Sequence, residues 1–141
     1  MYVNIISSTN RKIPRKRIAR MIEMIEEDEE PPDSTLNIIL TRDRQLSRLN
    51  EQYRRRSGPT DVLSFVLDRT PGRDSVLGEI YISTDTAAKN ADKYGVTFTA
   101  EILRLCCHGF LHLLGYDHVK KRDREIMFDK EETYLRRMRQ C

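Results

Sequence analysis

Long apolar runs are missing from this sequence, and without one of bilayer length a helical membrane protein is excluded. The opening residues, Met1-Tyr2-Val3-Asn4-Ile5-Ile6, are apolar but brief, and they lack the basic leader and extended apolar stretch of a secretory signal. Cysteine is sparse. Cys106, Cys107 and Cys141 make an odd set with no CxxC pair, which argues against a disulfide framework and suits a reducing, cytoplasmic setting. Internal repeats, low-complexity tracts and linkers are also absent, so residues 1–141 are expected to form one domain.

Charge is abundant by contrast. Charged residues make up 33% of the chain and hydrophobic ones 38%, the balance of a compact core under a charged surface. The apolar residues are periodic, which excludes disorder. A net charge of +3 is mild, but its distribution is uneven. Basic residues gather at Arg11 to Arg20, at Arg54-Arg55-Arg56 and at Lys120 to Arg124, and acids at Glu26-Glu27-Asp28-Glu29-Glu30. Segregated basic patches suit a polyanionic partner, although each could equally be a solvated helix face.

The hydrophobic period switches along the chain. Residues 2–7, 35–41, 62–67 and 77–83 alternate or are rich in β-branched types and read as strands. Helical spacing appears from Pro14 through Ile18, Met21, Ile22 and Ile25, and Pro31-Pro32 stops it. Further helices are expected at about 43–54, 84–94, 98–114 and 120–138, with Gly95 and Gly115 closing two of them. Ser57-Gly58-Pro59-Thr60 reads as a turn and residues 70–74 as a loop. The expected fold is α+β (mixed α/β): a small four-stranded sheet packed with about five helices.

Histidine carries the sharpest signal. The chain has three, all inside His108-Gly109-Phe110-Leu111-His112-Leu113-Leu114-Gly115-Tyr116-Asp117-His118. His108 and His112 are four apart and share a helix face, so both imidazoles can reach one ion. A third ligand from the next helical turn would lie too far along the axis, so the chain must leave the helix and fold back. Gly115 permits that, because glycine readily takes the left-handed conformation that ends helices. His118 then returns to the same point. Three ligands leave a fourth position open, as in catalytic zinc sites. One Zn2+ ion is therefore expected, although imidazoles also suit other divalent metals.

The spacing also matches the extended zinc-peptidase pattern H-E-x-x-H-x-x-G-x-x-H, except that Gly109 stands where the general base should be. Glycine carries no proton to exchange, so peptide hydrolysis by that route is disfavoured. Around the histidines, Asp117 reads equally as a carboxylate orienting a ligand or as a turn residue. Tyr116 reads as a packing residue, Cys106 and Cys107 as small core residues, and Met127 as core rather than the floor of the metal site.

These residues resemble the YbeY family of endoribonucleases and ribosomal-RNA maturation factors. HGFLHLLGYDH matches the family's H-G-x-L-H-L-x-G-Y-D-H. Asn50-Glu51-Gln52-Tyr53-Arg54 resembles its N-x-x-Y-R segment, residues 59–65 its P-T-D-V-L-S-F, and Leu77-Gly78-Glu79-Ile80 with Ser83 its L-G-D-I-x-I-S. Met127 and Glu131 fall where the family has a Met and a Glu. Val66 departs from a usual proline, and Glu79 from a usual aspartate.

The resemblance implies single-stranded RNA as substrate. It implies a role in maturing the small-subunit ribosomal RNA 3′ end and in ribosome quality control, with the ribosome or its proteins as partners. It also implies a functional Arg54, whose planar guanidinium matches a phosphate. The expected catalytic set is Arg54, His108, His112 and His118. Two alternatives remain: a zinc hydrolase of another class, such as a peptidase, and a non-catalytic ribosome-assembly factor with a structural metal.

Overall fold

Among the described residues, the four segments that alternate or are rich in β-branched types become four strands, and the segments with helical spacing become five helices. The computed structural model describes residues 1–54, 62–66 and 76–140; for Tyr53, Arg54, Phe65, Val66 and Val76 only the backbone is described. The order is β1 (Tyr2–Ser7), α1 (Arg15–Glu29), β2 (Thr35–Thr41), α2 (Asp43–Arg54), β3 (Val62–Val66), β4 (Val76–Ser83), α3 (Thr84–Tyr94), α4 (Phe98–Leu113) and α5 (Lys121–Arg139). The expected α+β class, with its small sheet and five helices, is observed. The turn at 57–60, the loop at 70–74 and residue 67 lie outside the described residues.

The sheet order is β1-β2-β4-β3. β1 pairs parallel with β2, and β2 parallel with β4, while β3 runs antiparallel to β4 at the edge. Parallel neighbours need a crossover, and α1 supplies it between β1 and β2. Pro14 stands at the position just before the first turn of α1 without a side-chain cap, and Glu30 ends the helix in the left-handed region (φ 47°) ahead of the two prolines.

Alternation places Leu36, Ile38 and Leu40 of β2 and Ile80 and Ile82 of β4 in the core. Ile18, Met21, Ile22 and Ile25 of α1 cover them. α4 is the central helix, packing on α1, α3, α5, β3 and β4. Its Ile102, Cys106, Cys107, Phe110 and Leu111 are fully buried, and truncating such a residue as Phe110 to alanine costs about 3–5 kcal/mol. The helix that carries two of the histidines is therefore the best-anchored element of the fold.

Capping sets the helix starts. The Ser83 Oγ accepts from the Thr86 amide at 3.1 Å to open α3, and the Thr97 Oγ1 accepts from the Ala100 amide at 3.0 Å to open α4. The Ser83 and Thr86 hydroxyls both donate to the Asp43 carboxylate, which ties the start of α2 to the start of α3. Among the described residues, no helix is long and apolar enough to cross a membrane.

Candidate metal centre

His108 and His112 project from the last turns of α4. That helix ends in a Schellman closure: the Gly115 amide donates to the His112 carbonyl, and the Tyr116 amide to the Leu111 carbonyl, each at 3.1 Å. Gly115 has φ 109°, where an L side chain is strained, so the glycine is required. The chain then doubles back and sets His118 against the helical pair. Its ring centre lies 5.4 Å from that of His108 and 5.8 Å from that of His112.

Each helical histidine is fixed through its Nδ1. His108 Nδ1 bonds the carboxylate of Glu131 on α5, and His112 Nδ1 donates to the Tyr116 carbonyl at 3.2 Å. An Nδ1 that donates leaves Nε2 as the unprotonated, ligating nitrogen. The His112 pKa is lowered, chiefly by burial and further by His118 and His108, while the Tyr116 carbonyl and Asp117 oppose the shift. The shift favours the neutral imidazole, the form in which a histidine binds a metal.

Three imidazoles on one tetrahedral ion, with bonds of about 2.0–2.1 Å, place ring centres roughly 5 Å apart. The His118 separations are slightly wider than that. Among the described residues, no group of three His, Cys, Asp or Glu is arranged to hold a metal ion as it stands. His118 is exposed on its turn. The donor chemistry fits: three imidazoles, two of them with Nδ1 already engaged, gather at the end of a buried helix.

The other sequence expectations resolve individually. Gly109 faces the sheet. A Cβ there would stand 2.8 Å from Ile80 Cγ2 and 3.0 Å from Ser64 Oγ, so a larger residue would force these side chains or α4 to shift. The Ser64 hydroxyl donates to the Gly109 carbonyl at 3.4 Å across that contact. The position that holds the general base in peptidases is here a packing position.

Cys106 and Cys107 are buried; burial pushes the Cys106 thiol up to about 12 and raises Cys107 as well, so neither presents a thiolate. The Asp117 carboxylate accepts from the Val119 amide at 3.1 Å, which is the turn role. Tyr116 packs against the core, and its hydroxyl donates to Glu29. Burial, aided by that carboxylate, pushes the phenol up to about 12. Met127 is a core residue. Arg54 is the last residue of α2, and its side chain lies outside the described ones.

The residue that sequence spacing did not reach is Glu131, known beforehand only through the family resemblance. Its signal is its place on α5, where Met127, Glu131, Tyr134 and Met138 form the buried stripe. A carboxylate on the apolar face of a helix must have a partner. Here that partner is a histidine of the candidate site.

The comparisons with known proteins agree with one another. The family model described as Endoribonuclease YbeY matches residues 4–139. A protein named Endoribonuclease YbeY from Persephonella marina is 36% identical over 133 residues, covering 92% of this chain and 87% of that one. One of the same name from Anaeromyxobacter dehalogenans is 43% identical over 104 residues, covering 74% of this chain; the match spans only about half (54%) of that relative's length. A solution structure of a Thermotoga maritima protein superposes with a TM-score of 0.67 at 32% identity, covering 96% of this chain and 88% of that one.

Proposed function

The chain belongs to the Endoribonuclease YbeY family, and from that premise we propose that it is an endoribonuclease that cleaves single-stranded RNA at a metal centre formed by His108, His112 and His118. The observation that carries this reading is the paired Nδ1 anchoring of His108 and His112, which leaves both Nε2 lone pairs free beside His118.

One divalent ion, with zinc the natural choice for imidazoles, would be held by the three histidines. When bound it supplies Lewis acidity, polarising a phosphoryl oxygen and lowering the pKa of nearby water to about 7. The chain's own residues do the rest. Glu131 and the Tyr116 carbonyl orient the rings. Arg54 offers a guanidinium to the charge that builds on the non-bridging oxygens during phosphodiester cleavage. Gly109 removes the peptidase base, and a base there would crowd Ile80 and Ser64. The nucleophile is water or the RNA's own 2′-hydroxyl.

The physiological setting follows the family resemblance: a cytoplasmic enzyme of residues 1–141, acting on ribosomal RNA at the small-subunit 3′ end and in ribosome quality control, with ribosomal partners. Purified protein and a His112→Ala variant, each with and without chelator, test the reading on single-stranded RNA and on a peptide library while circular dichroism follows the fold. RNA cleavage that is lost with the ion or with His112, the fold being retained, supports it. Unfolding on chelation would reassign the metal to structure, and cleavage of peptides alone would make the protein a peptidase.

A further inference from the structure

A cavity of about 590 Å³ opens beside the histidines, lined by His108 and His118 and by Arg124, Met127, Phe128 and Glu131 of α5. Its volume is in the range of a site for one small organic group, about 300–1,000 Å³. Phe128 is 60% exposed. It lies about 100° round α5 from the buried Met127, off the stripe that serves the core. Arg124 is one turn earlier on the same face, also exposed.

The geometry points to a nucleobase subsite: Phe128 stacks a base of the RNA strand next to the cleaved bond, and Arg124 holds the adjoining phosphate. This rests on the RNA reading above. A strand whose phosphodiester sits at the histidines must run on past them, and on this side the cavity they share with α5 receives it. An aromatic face with a cation one helical turn away is the combination that single strands use, stacking for the base and charge for the backbone. Such a subsite would also select against duplex, whose bases are not free to enter. Arg104, Glu125 and Asp129 also line the cavity, so its charges are mixed and, among the described residues, Phe128 is its one aromatic side chain outside the histidines.

The test is fluorescence anisotropy with a labelled, fully 2′-O-methylated ten-nucleotide single strand, and with a set of the same strands carrying one abasic site at each position in turn. Phe128→Ala is expected to weaken binding about 5- to 100-fold, the range of one lost base stack. Phe128→Tyr is expected to restore it and Phe128→Leu is not. At one abasic position Phe128→Ala is expected to cost nothing further. Arg124→Ala is expected to weaken binding of all strands uniformly and to reduce the salt dependence. Equal binding by wild type and Phe128→Ala, or a Phe128→Ala loss that is the same at every abasic position, would overturn the subsite while leaving RNA binding intact. The second result would mean that Phe128 serves another surface, such as a protein contact. Failure of the wild type to bind any strand would overturn the RNA reading itself.

Discussion

The Nδ1 of His108 is bonded to the carboxylate of Glu131, a residue 23 positions further along the chain and on a different helix. The pairing joins α4 to α5 at the candidate metal centre and sets the tautomer of His108. It also accounts for a carboxylate that is only 8% exposed among apolar neighbours.

Glu131→Gln is accordingly expected to weaken zinc affinity about 10- to 100-fold, the usual effect of removing a carboxylate that orients a ligating histidine. Competition against a chelating dye measures it. The far-ultraviolet circular dichroism should be unchanged, because the amide keeps the volume of the acid.

Gly109→Ala is expected to lower stability by about 1–3 kcal/mol, the cost of inserting a methyl group into a closed contact. The new Cβ would press on Ile80 Cγ2 at 2.8 Å and Ser64 Oγ at 3.0 Å. Alanine is the better helix former by up to about 1 kcal/mol, which offsets part of the loss. Thermal unfolding reads the net change as a lower Tm. Gly109→Glu is expected to misfold rather than to gain peptidase activity.

Asp43 predicts a pH dependence. Burial alone would raise its pKa, but hydrogen bonds from Ser83 and Thr86, with Lys89 nearby, more than reverse this, and the folded value is lowered from 3.8. As pH falls, the unfolded chain takes up this proton first. The stability Asp43 contributes is therefore full above about pH 4 and is lost as pH drops through the folded value. Urea unfolding of wild type and Asp43→Ala should differ by about 1.5–3 kcal/mol at pH 6, the scale of hydrogen bonds to a charged group, and the gap should narrow below pH 4. A gap that stayed constant into acid would show that the carboxylate charge is not what ties α2 to α3.

Local signals in the sequence are enough for the elements and the histidine turn. Gly115 is readable because a helix end that folds back needs a residue tolerant of positive φ, and glycine is the cheapest one. Sheet order is different. The apolar residues of 62–66 mark a strand, but not that it lies outside β4 and antiparallel to it, since pairing partners are chosen by tertiary packing. Gly109 reads in sequence as a missing catalytic base, whereas in the fold it is a close packing position of α4 against Ile80 and Ser64. The Glu131 contact escapes any local rule because it spans two helices. Asp117 divides evenly in sequence and is a turn acceptor in the fold, taking the Val119 amide.

X-ray absorption at the zinc edge, on protein loaded with one equivalent of zinc, tests the coordination directly. Three imidazole nitrogens and one oxygen donor, all at about 2.0–2.1 Å, are the expected shell, with a histidine lost from it in His118→Ala. Sulfur scatter at about 2.3 Å, or a shell that His118→Ala leaves unchanged, would contradict it.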